Sequence, residues 1–276
     1  MLYLVWGSTY LAMRFAIETL PLFLLAAARF AIAGAILLAI AAARGAVMPT
    51  ARQWWHSAVV GALLLIGGNA CVLWAVRHVP TGITALIIAV TPLWLALLSR
   101  ARPTRSLVLG IVLGLAGVAA LVAPAIMAHQ GGTDALSVVV LVFASLSWAV
   151  GSLVARKGGP PGGLVATGAQ MFCGGVMLFL LGVVTGELGA LPEAHVSMRS
   201  AWSLVYLTVF GSLLGYSAYG WLLRHDTPER AATYAYVNPI VAVVLGALFA
   251  DEPITGQVLV AGAVIVVGVA LIVRGK

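Results

Sequence analysis

Read from its first residue, the chain is a succession of apolar stretches, each ended by proline, glycine or charge. A transmembrane helix needs about 20 predominantly apolar residues. Ten such stretches can be marked, at roughly 2–18, 22–43, 57–76, 81–98, 106–124, 135–154, 164–184, 202–223, 231–249 and 255–273. Breaks fall at Leu20-Pro21, Arg102-Pro103, the GGPPGG run at 158–163 and Asp251-Glu252-Pro253. The runs lack the period-two alternation of half-buried strands. In lipid every backbone N–H and C=O must be satisfied within the segment, which favours helices. The expected fold class is all-α, a polytopic membrane protein of ten transmembrane helices.

Composition excludes the soluble alternative. Charged residues are 8% of the chain and hydrophobic ones 62%, with a mean hydropathy of +1.10. Soluble domains carry about 25% charged residues, so too few are present here to cover a water-facing surface. The net charge of +7 raises nucleic acid as a partner. The basic residues, however, sit in short clusters between apolar runs rather than along one face of a soluble domain. Lipid is therefore an expected partner, and nucleic acid is not; a small-molecule substrate is the other partner expected. Monomer and homodimer are both open. Cys71 and Cys173 lie within apolar runs without metal-ligand spacing and read as buried thiols; neither metal nor cofactor is expected. No basic region precedes the first run, which reads as a retained membrane helix rather than a secretory signal. That run is slightly short, so the start is expected to be truncated.

The loops set an orientation. With the N-terminus in the cytoplasm, the inner side collects Arg44, Arg52, Arg100, Arg102, Arg105, Arg156, Lys157, Arg224, Arg230, Arg274 and Lys276, which is 11 of the 15 basic residues. Arg77 and Arg199 fall outside, and Arg14 and Arg29 lie within spans. An 11-to-2 bias over short loops is the positive-inside signature. It places both termini in the cytoplasm and requires an even number of spans.

The chain also repeats itself. WAVRHVPTGITALIIAVTPLW at 74–94 is matched by WLLRHDTPERAATYAYVNPIV at 221–241. Trp74 and Trp221, Arg77-His78 and Arg224-His225, and Pro92 and Pro239 all share an offset of 147. Trp6-Gly7-Ser8 is loosely echoed by Trp148 and Gly151-Ser152, and Gly117-Val118-Ala119 by Gly268-Val269-Ala270. Two five-helix halves follow, at 1–125 and 134–273. Five is odd, so the second half enters the membrane from the opposite side. Inverted repeats of this kind are the architecture of alternating-access transporters, with the site at the repeat interface.

Here the chain resembles the drug/metabolite transporter superfamily, in its ten-helix branch built from two EamA-type domains. The resemblance rests on WGSTYLAMRFA at 6–16, Pro21 spaced to Arg29-Phe30, TPLW at 91–94, NP at 238–239 and GALFADEP at 246–253. It covers essentially the whole chain. It implies a bacterial inner-membrane transporter, usually an exporter of amino acids, metabolites or drugs. It also implies a central cavity walled by helices 1–4 and 6–9, with helices 5 and 10 peripheral. Members carry a longer segment before the WGS motif, in keeping with a truncated start.

Several residues are candidates for that cavity or its gates. Arg29 lies about eight residues into the second span, roughly 12 Å deep. Intramembrane charge is costly and marks function by default. Arg29 is read either as a contact for a substrate carboxylate or as a structural arginine. Arg14 stands one turn before Glu18, and an i,i+4 pair between them is expected, with an outer-gate role as the alternative. Pro92 and Pro239 are expected to interrupt their helices at equivalent positions, because proline removes a backbone donor. Thr91 and Asn238 stand beside them to satisfy the freed carbonyls. Trp6, Trp74, Trp94, Trp148, Tyr216, Tyr219, Tyr234 and Tyr236 supply aromatic surface, and Asn69 and Gln170 are polar groups in apolar runs that need partners. Gly110, Gly114 and Gly117 mark a tight helix contact.

No catalytic constellation is visible. The eight acidic residues and five histidines lie at span ends or in loops, so no mid-span proton carrier stands out. A membrane enzyme or a non-transporting scaffold or sensor remains the alternative to a transporter.

Overall fold

The computed structural model describes residues 2–99, 104–128, 135–160, 163–190, 195–226, 231 and 234–274; within these ranges the side chains of 107, 121–128, 190, 236 and 272–274 are not described. Among the described residues all regular structure is helical. The long helices among the described residues are α1 Leu2–Ala16, α2 Leu22–Ala43, α3 Ala51–Ala75, α4 Thr81–Leu98, α5 Arg105–Ala128, α6 Ala135–Arg156, α7 Gly163–Val184, α8 Met198–His225, α9 Tyr234–Phe249 and α10 Gly256–Arg274, with a four-residue helix, Glu187–Ala190, after α7. Six of them, α2, α3, α4, α6, α7 and α8, are long and apolar enough to cross a membrane.

Two helices begin earlier than their apolar runs. At the start of α3, Thr50 and Gln53 form a reciprocal capping box, with Thr50 N–H donating to Gln53 Oε1 at 2.9 Å and Gln53 N–H to Thr50 Oγ1 at 3.4 Å. At the start of α8, Ser197 Oγ accepts from Ser200 N–H at 3.1 Å. A cap of this kind stabilises a helix by about 0.5–2 kcal/mol, enough to extend each one into polar sequence ahead of the apolar run.

The same two helices share an irregularity that the sequence does not announce. α3 winds as a π-helix over Ala62–Ala70, and α8 does so over Leu207–Leu214. π turns are rare, costly and frequent at functional sites. Both stretches are glycine-containing, and both face the centre of the bundle, where they contribute Gly68, Asn69, Gly211 and Ser212.

The two prolines behave differently. Pro92 breaks α4 into Thr81–Ile88 and Thr91–Leu98. Thr91 Oγ1 donates to Ile88 O at 2.7 Å, the carbonyl that the missing proline N–H leaves without its helical donor. Pro239, expected to interrupt its helix too, instead sits inside a continuous α9. Its neighbour Asn238 has its amide turned so that Nδ2 donates to Tyr234 O at 3.1 Å and Tyr3 O at 2.9 Å. The carbonyl that Pro239 leaves without its helical donor is that of Ala235, so these bonds tie Asn238 to its own turn and to α1 instead.

The bundle buries hydroxyls among its apolar core and turns large apolar side chains outward. Ser57, Thr81, Thr84, Ser145, Ser152, Ser200 and Ser212 are fully buried, while Val108, Leu109, Leu136, Val139, Leu180, Leu248 and Val260 point outward. An apolar exterior around a hydroxyl-bearing interior suits lipid as the surrounding solvent. Tight seams join the helices. The most extensive lies between α2 and α7, where a side chain on Gly34 would meet Gly168 O at 2.8 Å. The next joins α5 and α10, where one on Gly268 would meet Gly114 N at 2.7 Å and Gly110 O at 2.8 Å. The glycine face expected on α5 is therefore a helix contact, and α10 is its partner.

Candidate functional site

The π turn of α8 opens room for two large side chains from the first helices. Trp6 of α1 donates from Nε1 to Gly211 O at 3.1 Å. Arg29 of α2 donates from Nε to Ser212 Oγ at 2.7 Å and from Nη1 to Asn69 Oδ1 of α3 at 3.4 Å. Gly211 is needed for this approach: a Cβ there would lie 2.8 Å from Arg29 Nη2 and 3.2 Å from Thr9 Cγ2. The guanidinium also lies over the Phe30 ring, 4.6 Å from its centroid.

Around Trp6 gathers an aromatic cluster. Its ring centroid is 5.5 Å from Trp148, 5.6 Å from Tyr216, 5.1 Å from Tyr219 and 4.9 Å from Tyr234. The 87° angles to Trp148 and Tyr234 are the edge-to-face geometry that aromatic quadrupoles favour. Tyr219 is locked by Ser152 Oγ at 2.7 Å and by Trp148 Nε1 at 3.2 Å. Tyr216 is also buried, yet its hydroxyl has no hydrogen-bond partner among the described residues.

These groups wall a central cavity of about 60 Å³. One water needs roughly 10–15 Å³ measured this way, so the space admits a few water-sized groups. Its lining comes from α1 (Trp6, Thr9, Tyr10, Met13), α2 (Arg29), α3 (Gly68, Asn69, Val72), α4 (Ile88), α6 (Ala144, Trp148), α8 (Tyr216) and α9 (Tyr234, Asn238). Of the residues singled out in the sequence, Trp6, Arg29, Asn69, Trp148, Tyr216, Tyr234 and Asn238 meet here. Tyr219 stands directly behind them. Thr9, Tyr10, Met13, Gly211 and Ser212 were not anticipated, because α1 is apolar on several faces and the π turn that exposes Gly211 leaves no mark in a residue pattern.

The other candidates lie away from the cavity. Trp74 packs on His78 at 4.7 Å. Trp94 donates to Ser145 Oγ at 2.9 Å, tying α4 to α6. Thr91 and Pro92 shape the break in α4, and Pro239 lies buried within α9. Gln170 of α7 sits at the seam with α3, its carbonyl against Gly61. The Tyr236 side chain is outside the described residues.

The expected Arg14–Glu18 pair does not form. Arg14 Nη1 reaches Glu252 Oε1 at 3.3 Å, and Glu18 pairs with Arg199 at 2.6 Å. The i,i+4 pair needs an uninterrupted helix, and α1 ends at Ala16, so Glu18 lies in the turn beyond it. Glu252 stood in the sequence only as part of a break and a motif, yet it is the hub of this end of the bundle. It also accepts from Thr81 N–H and Thr81 Oγ1 at 2.8 Å each, and from Gly82 N–H at 3.3 Å. A carboxylate there caps the first turn of α4, where the helix dipole favours negative charge. Glu187 caps α2 in the same way, accepting from Phe23 N–H at 3.1 Å and Leu24 N–H at 2.9 Å.

Known proteins share this sequence and fold. Residues 1–123 and 135–274 each match the EamA-like transporter family. The chain is 37% identical over 283 residues to an Escherichia coli (strain K12) protein named an uncharacterized inner membrane transporter, YedA, covering 100% of this chain and 89% of that protein. It is 30% identical to the protein PecM of Dickeya dadantii, over 98% of this chain and 89% of that one. A WAT1-related chloroplastic protein of Arabidopsis thaliana is 25% identical, over 97% of this chain and 66% of its own length. A crystal structure at 21% identity superposes with a TM-score of 0.70, covering 98% of this chain and 93% of that one, and shows the shared fold. With two family matches spanning nearly its whole length and an apolar, multi-helix body, the chain belongs to the EamA-like transporter family and is a multi-pass membrane protein.

Proposed function

We propose that this chain carries small metabolites, such as amino acids or drugs, out of a bacterial cell across the inner membrane. It does so by alternating access through the central cavity, and both termini face the cytoplasm. The observation that carries the reading is the cavity itself: an aromatic, arginine-bearing space walled by helices from both family matches, with packed rings in its wall. Such a chamber suits a substrate occluded between two openings.

The relations between helices support two inverted five-helix halves, 1–125 and 134–273. α2 packs on α7 and α5 on α10, each against its counterpart by order, while α1 lies against α9 as α6 lies against α4. Asn69 and Tyr216, 147 residues apart, both line the cavity. The ring pair Trp74–His78 recurs as Trp221–His225, with centroids at 4.7 and 4.4 Å. The basic residues of the loops support the orientation, and export follows the family resemblance. In this reading Arg14, Glu252 and Thr81 form a latch at the outer end.

The test is transport itself. Purified protein in proteoliposomes is expected to accelerate uptake or counterflow of at least one member of a panel of amino acids, aryl acids and cationic drugs over empty liposomes. The Trp6→Ala variant is expected to lose most of that flux at equal reconstitution. Absence of flux in either membrane orientation across the panel would discard the transport reading.

A further inference from the structure

Resting on the transport reading, we propose that the cavity holds a carboxylate of its substrate between the guanidinium of Arg29 and the hydroxyl of Tyr216.

The first observation is a cation without a counter-ion among the described residues. Arg29 is 3% exposed, and its bonds run to two neutral acceptors, Ser212 Oγ and Asn69 Oδ1. The ion pairs among the described residues lie elsewhere, at Arg14–Glu252 and Arg199–Glu18. A buried charge balanced only by neutral dipoles is expensive to hold. A guanidinium also presents five N–H donors in a planar fork, and the two protein bonds leave others unused.

The second observation is independent of charge. Tyr216 is 5% exposed and lines the same cavity, and its hydroxyl has no hydrogen-bond partner among the described residues. Tyr219, three residues on and in the same aromatic cluster, is satisfied by Ser152 and Trp148. Buried hydroxyls are ordinarily paired. Ser57, Thr84 and Ser217 also have unpaired hydroxyls among the described residues, but among these residues only Tyr216 lines the cavity, where its hydroxyl is a donor kept for what enters.

Placement joins the two. Arg29 is tethered to Ser212, four residues before Tyr216 on α8, and both Arg29 and Tyr216 line the cavity. Phe30, which carries the guanidinium on its face, touches the Tyr216 ring at 5.5 Å. An unbalanced cation and a residue with an unused hydroxyl, both in the wall of one cavity, suit an acceptor bearing one negative charge. The arginine fork matches the two oxygens of a carboxylate. A phosphate dianion would bring two charges to a single cation. The remaining walls, Trp6, Trp148 and Tyr234, receive the rest of the molecule on aromatic faces, which accept either an apolar body or an ammonium group.

The test uses purified protein and matched triplets of ligands: amino acids and aryl acids, their primary amides, and their decarboxylated amines. Binding is read by thermal shift and by quenching of tryptophan fluorescence. Wild type is expected to be stabilised by one or more carboxylates and not by the matched amides. Tyr216→Phe is expected to melt at the wild-type temperature without ligand, since no protein group is lost from the hydroxyl. It should bind the best carboxylate about ten- to a hundredfold more weakly, the loss of one hydrogen bond to a charged group. Arg29→Lys is expected to lose a similar factor for carboxylates and little for amines. The proposal is overturned if no carboxylate stabilises wild type beyond its amide, if Tyr216→Phe binds the carboxylate as tightly as wild type, or if its ligand-free melting temperature falls by several degrees. Flux separates this from the transport reading. Amides or amines moving while carboxylates neither bind nor move would leave transport standing without the clamp. Carboxylates that bind as described but never cross would leave the clamp standing without transport.

Discussion

Glu252 accepts two hydrogen bonds from Thr81, one from its backbone N–H and one from its hydroxyl, both at 2.8 Å. The bonds fasten the end of α9 to the start of α4, and Arg14 adds the end of α1 at 3.3 Å. Three helices that wall the cavity are therefore joined through one carboxylate. Such a bond set is a mechanical tie as much as a source of stability, because charge-assisted bonds at a helix N-terminus are strong individually.

Removing that carboxylate is expected to loosen this end of the bundle. In a background lacking Cys71 and Cys173, a cysteine at the cavity position Thr9 is expected to react severalfold faster with an impermeant maleimide applied from outside when Glu252 is changed to Ala. Glu252→Gln, which keeps the shape and weakens the bonds, should fall between. Equal labelling rates in all three would show that the tie does not close the cavity.

The two prolines are expected to differ in effect. Pro92→Ala restores a donor exactly where α4 breaks, and should lower flux several-fold at matched protein abundance by straightening the helix. Pro239→Ala acts within a helix that is already continuous, and should change flux less than twofold. Initial rates in proteoliposomes decide it, and identical effects would count against a special role for the break.

Gly268→Ala should force α5 and α10 apart, since its Cβ would meet backbone atoms at 2.7 and 2.8 Å. Overpacking of this sort costs about 1–3 kcal/mol, to be read as a lower melting temperature in detergent. Gly114→Ala, whose Cβ would meet nothing within 4 Å, is expected to stay within about 0.5 kcal/mol of wild type.

Topology is tested by cysteine labelling in sealed right-side-out vesicles. A cysteine replacing His129 is expected to react from the outside, and one replacing Lys157 only after the membrane is opened. External labelling of position 157 would reverse the orientation drawn from the basic loops.

Much of this protein was legible in its residue pattern. Helical, membrane-spanning character follows from apolar runs with too little charge to face water, and this is a property of the chain rather than of any contact. The glycine face of α5 was readable because helical spacing alone puts Gly110, Gly114 and Gly117 together. Seven of the cavity residues could be picked out, because polar or aromatic groups deep in apolar runs need a reason to be there. The partners of those residues were decided only in three dimensions. Arg14 chose Glu252, distant by 238 positions, over a carboxylate one turn away, because the helix ends before that turn is complete. The site at Arg29 depends on a π turn in α8 that opens Gly211 O and Ser212 Oγ toward α1 and α2. Local periodicity reports which residues share a face of one helix. Which faces meet, and which hydroxyl is left unpaired when they do, is settled by packing across the whole bundle.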